Sequence, residues 1–131
     1  MYKRQMHACV SYFGNVAVAA SSDADREAAL TNAQKWYDAL SAIRDKSPAV
    51  FDSARFNYAI TRLKLNSMDE YGMSLLGEAA IGGHETAATL IRKFHAKALT
   101  TDFSGNEDAA GVVEIWDSTI QVIGPGETRV Q

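Results

Sequence analysis

The chain is poor in the residues that usually anchor chemistry. One cysteine, Cys9, stands among 131 residues, which excludes an internal disulfide and any multi-cysteine metal site. Two prolines leave long stretches free to be helical. There is no excess of positive charge: 16 Asp and Glu against 13 Lys and Arg give a net charge of −3 and a pI near 5.5. Unaided nucleic-acid binding needs a basic footprint to release counterions from phosphates, so that class is excluded, and an anionic membrane surface with it. No apolar run approaches the ~20 residues of a membrane span.

What is present suits a folded domain. Apolar residues make up 47% and charged residues 22%, a globular balance, and the length suffices for one core.

The ends need separate treatment. Met1-Tyr2-Lys3-Arg4-Gln5 matches the translation of a common transposon sequencing adapter, Val-Tyr-Lys-Arg-Gln, with its GTG codon taken as a start. On that reading residues 1–5 are not native, and the chain is the C-terminal part of a longer protein from an assembled sequence fragment. Residues 8–20 are apolar and end in small residues before Ser21-Ser22-Asp23, like the end of a secretory signal. Val10, Phe13, Ala17 and Ala20 nonetheless fall at helical spacing, and a packed helix is the expectation. A cytoplasmic location is favoured, with a periplasmic or secreted one as the alternative if residues 8–20 are a signal remnant. The domain is expected over 6–123, with a disordered tail over 124–131 after Gly124-Pro125-Gly126.

Between the ends, apolar residues recur every 3.6 positions. Residues 23–45 carry Ala33, Trp36, Tyr37, Leu40 and Ile43 on one face. Ser47 and Pro48 suit the cap and first turn of the next helix, which runs to about Leu65 on Phe56, Ala59, Ile60 and Leu63. Residues 68–81 use Tyr71, Leu75, Leu76 and Ala79, and Gly82-Gly83 stops them. Residues 84–99 use Ala87, Leu90, Ile91, Phe94 and Ala98. Residues 106–121 use Ala109, Val112, Val113, Trp116 and Ile120. The spacing of Val112–Ile123 fits a helical stripe better than strict alternation, and Ile120-Gln121-Val122-Ile123 is the one place where a short extended segment could form.

Signals recur at intervals of 33–37 residues. Ser67-x-x-Glu70 and Ser104-x-x-Glu107 both have the form of a capping box. Ala54 pairs with Ala87, and Leu40 with Leu76, at matching places. Ser53-Ala54-Arg55-Phe56-Asn57-Tyr58-Ala59, then Leu75-Leu76-Gly77-Glu78-Ala79-Ala80, then Gly83-His84-Glu85 resembles one tetratricopeptide-type repeat of the Sel-like kind. Asn32-Ala33-Gln34-Lys35-Trp36-Tyr37 resembles the second helix of a preceding repeat, and Glu114-Ile115-Trp116 occupies a similar place later. The resemblance implies an all-α fold of stacked antiparallel helical hairpins, a short α-solenoid of five or six helices. It departs from the family where the usual Leu-Gly pair and the Gly-x-Gly of the inter-helix loop are missing.

Motifs for catalysis, metals and cofactors are not apparent. His84-Glu85-x-x-Ala88 lacks the second histidine of the zinc-binding helix. His84 and His95 lie about 16 Å apart along a helix axis, too far to share one ion. Asp102, Glu107 and Asp108 suggest a cation loop, but the run Asp102-Phe103-Ser104-Gly105-Asn106-Glu107-Asp108 lacks the alternation of a calcium loop. Cys9, near His7, reads as a buried structural thiol.

The function expected is therefore a non-catalytic protein–protein interaction module, with no cofactor. By the 33-residue offset, Arg62 and His95 take equivalent places on the first helices of their hairpins, with Arg55 and Arg92 nearby. Together they suggest a mildly basic stripe for an acidic peptide or carboxylate partner. Alternatives are a helical accessory domain of an enzyme whose catalytic part lies upstream, and an unrelated compact helical bundle with a regulatory role.

Overall fold

The computed structural model describes residues 2–43, 45, 48–100 and 107–124. Among these there are six helices and no strand. The fold is all-α, and the helices group into two compact units, Met1–Ser67 and Met68–Gln131.

The first unit holds α1 (Tyr2–Ala19), α2 (Asp23–Ala42) and α3 (Pro48–Leu65). The apolar stretch over 8–20 is helical, within α1, whose buried stripe is Met6, Val10, Gly14 and Ala17. Ser22 starts α2 from an extended conformation, its Oγ accepting the Asp25 amide at 3.2 Å. Asp23 and Asp25 place negative charge in that first turn. Ser47, expected as the cap of α3, lies outside the described residues, while Pro48 is the first residue of the helix.

Successive helices of this unit run antiparallel. The end of α1 (Phe13, Val16) flanks the start of α2 (Asp25, Ala28) around one recess. Gln34 and Tyr37 of α2 meet Tyr58 and Phe51 of α3 in reversed order. The first and third helices run parallel and touch, His7 against Asn57 and Gly14 against Thr61. The core is aromatic at its centre: Tyr37 lies 5.6 Å from Phe51 and 5.2 Å from Tyr58, ring centre to ring centre. On α3 the buried residues are Phe51, Ala54, Tyr58 and Ala59. The expected line of Phe56, Ile60 and Leu63 is only half-buried; the inward face is rotated toward the tyrosines, because Tyr58 satisfies its buried hydroxyl by donating to Gln34 at 2.7 Å.

The second unit holds α4 (Glu70–Ile81), α5 (Glu85–Ala98) and α6 (Glu107–Ile123). Helix α4 is buried around most of its circumference, through Met73, Leu75, Leu76, Ala79 and Ala80 with Gly72 and Gly77, as befits a helix with neighbours on two sides. Tyr71, expected inside, is 40% exposed. Helices α5 and α6 run antiparallel: Arg92 reaches Ile123 and Gly124, and His95 reaches Asp117. Helices α4 and α6 run parallel, Glu70 beside Gly111 and Gly77 beside Thr119.

The cap of α4 is not Ser67. Asp69 is the N-cap, its Oδ2 accepting the Gly72 amide at 2.9 Å. A carboxylate two residues nearer the helix displaces the serine, and the Ser67-x-x-Glu70 box does not form. Ser104, of the other expected box, lies outside the described residues.

The joint between α4 and α5 is a Schellman turn. Gly83 adopts φ +103°, the Gly83 amide bonds Ala80 at 3.1 Å, and the His84 amide bonds Ala79 at 3.0 Å. The His84 ring then caps α5, Nδ1 accepting the Ala87 amide at 3.2 Å. Residues 120–123, expected as a possible extended segment, complete α6, which stops at Gly124 with φ +82°. The tail expected beyond lies outside the described residues from 125 onward.

Candidate interaction surfaces

Each of the four residues singled out for partner binding has an intramolecular task. Arg55 and Arg62 lie a helical repeat of seven apart on α3, in the first unit. The Arg55 guanidinium donates to Asp52 at 2.9 Å and lies 5.1 Å from the centre of the Phe51 ring. Its side chain is mostly buried, so it braces the first turns of α3. Arg62 donates to the Tyr58 hydroxyl at 3.3 Å and lies 5.8 Å from the centre of that ring. The chain Arg62–Tyr58–Gln34 thus runs from the surface through the core to α2.

Arg92 and His95 lie one turn apart on α5, in the second unit. Arg92 donates to the carbonyls of Ile123 and Gly124, at 3.0 and 3.1 Å. A helix end leaves four carbonyls without intrahelical donors, and a planar guanidinium suits two of them at once. His95 Nε2 lies 3.1 Å from Asp117, joining α5 to α6.

Arg62 also borders a shallow recess of about 460 Å³, bounded by Glu27, Leu30, Thr31, Gln34, Lys35 and Asp38 of α2. Its charges balance, Lys35 and Arg62 against Glu27 and Asp38.

A second recess, of about 390 Å³, lies in the groove between parallel α4 and α6. Its walls are built from small residues, Gly77 and Ser74 on α4 and Gly111 and Ser118 on α6. Ile81 and Val122 close one end while remaining 50% and 64% exposed. Every ionisable residue lining it among those described is a glutamate: Glu70, Glu78 and Glu114. Sequence reading by apolar stripes passes over this groove, because its makers face away from the stripe. The available signal was Gly77 and Gly111 inside helices, where glycine lowers helix stability and marks a close approach.

Cys9 is half-buried rather than enclosed, and neighbouring His7 pairs with Asn57 across α1 and α3 at 3.2 Å. Among the described residues no three His, Cys, Asp or Glu side chains cluster as metal ligands. No helix there is long and apolar enough to cross a membrane.

Comparison of the chain with models of known protein families, with curated proteins and with solved structures finds no match to any of them.

Proposed function

We propose that the chain is a non-catalytic interaction module, built from helical hairpins of the tetratricopeptide, Sel-like kind, that offers helix faces to a protein or peptide. The observation that carries this reading is the α4/α6 groove, where Ile81 and Val122 stay in water at 50% and 64% exposure beside small-residue walls. Exposed apolar side chains grouped in a recess serve recognition more often than stability. The hairpin order inside each unit is also what a helical-repeat array uses: neighbours antiparallel, next neighbours parallel and touching.

The expected acidic partner would engage Arg62 at the rim of its recess and His95 on α5. Engagement there competes with bonds already made, to Tyr58 and to Asp117.

A displayed random-peptide library panned on the intact chain tests the proposal. We expect enriched sequences that compete with one another for defined sites. Acidic ones should bind at least tenfold more weakly to the Arg62→Ala, His95→Ala double variant. A library that yields no competable binder, from a chain with intact helical circular dichroism, rejects the interaction module. Acidic binders indifferent to the double variant reject only the basic stripe.

A further inference from the structure

We draw no further inference here: the strongest candidate, the apolar recess between the end of α1 and the start of α2, lined by Phe13, Val16 and Ala28 among others, carries nothing because nothing in the structure shows what covers it.

Discussion

At the scale of single residues, His84 carries more structure than its side chain suggests. Its amide closes α4 by bonding Ala79, and its ring opens α5 by accepting from Ala87. Only a neutral imidazole with its proton on Nε2 can accept at Nδ1. His84→Ala should therefore lower stability by about 1 kcal/mol, the usual loss for a missing N-cap acceptor. His84→Asn should recover most of it, and urea unfolding of the three proteins checks the order. Gly83→Ala isolates a different cost. An added methyl group at Gly83 meets nothing within 4 Å, so any loss comes from holding an L-residue at φ +103°. We expect about 1–2 kcal/mol, read from the same unfolding curves. Gly82-Gly83 was legible in the sequence as a helix stop because glycine signals positive φ directly. The capping ring of His84 was not legible, since imidazole is outside the usual set of cap residues. At Ser67 the motif was legible but misplaced, because Asp69 offers a competing and better-positioned acceptor.

At the scale of helices, two glycines of the second unit, Gly77 and Gly111, predict opposite outcomes. A methyl group at Gly77 would lie 2.7 Å from Thr119 Oγ1. Thr119 is 3% exposed, and a short β-branched side chain in that setting has no alternative place to turn. Gly77→Ala should cost about 1–3 kcal/mol from overpacking. A methyl group at Gly111 meets the carboxylate end of Glu70, a long exposed side chain that can swing into water. Gly111→Ala should then be neutral or stabilising by up to about 1 kcal/mol, the gain in helix propensity. Thermal unfolding of both variants compares them directly. Helix positions and faces were largely readable from periodicity. Exceptions include Tyr71 and the line Phe56, Ile60 and Leu63. Periodicity shows that a stripe exists but not which edge of it a neighbour covers, and on α3 the Tyr58–Gln34 bond decides that.

At the scale of the whole molecule, charge and exposed apolar surface have separable signatures. The screening length falls from about 10 Å at 0.1 M salt to about 3 Å at 1 M. Binding of an acidic peptide through Arg62 or His95 should weaken at least several-fold over that range, while a purely apolar contact should hold or tighten. Fluorescence anisotropy of a captured acidic peptide across a salt series measures it. Apolar periodicity made the all-helical class legible, and net charge the acidic character. The groove was not legible, because it forms where α4 and α6 meet, and their sequence separation hides the contact.

The glycine–threonine contacts bear on how such a chain is assembled. Gly14 meets Thr61 between α1 and α3, and Gly77 meets Thr119 between α4 and α6. Counted in pairs of helices, these are unrelated contacts, one between two first members and one between two second members. Counted in threes, they are one contact made twice, the first helix of a triplet notched to receive the third. A gene that grew by copying triplets leaves relatives that differ by three helices at a time, and one that grew by hairpins leaves relatives that differ by two.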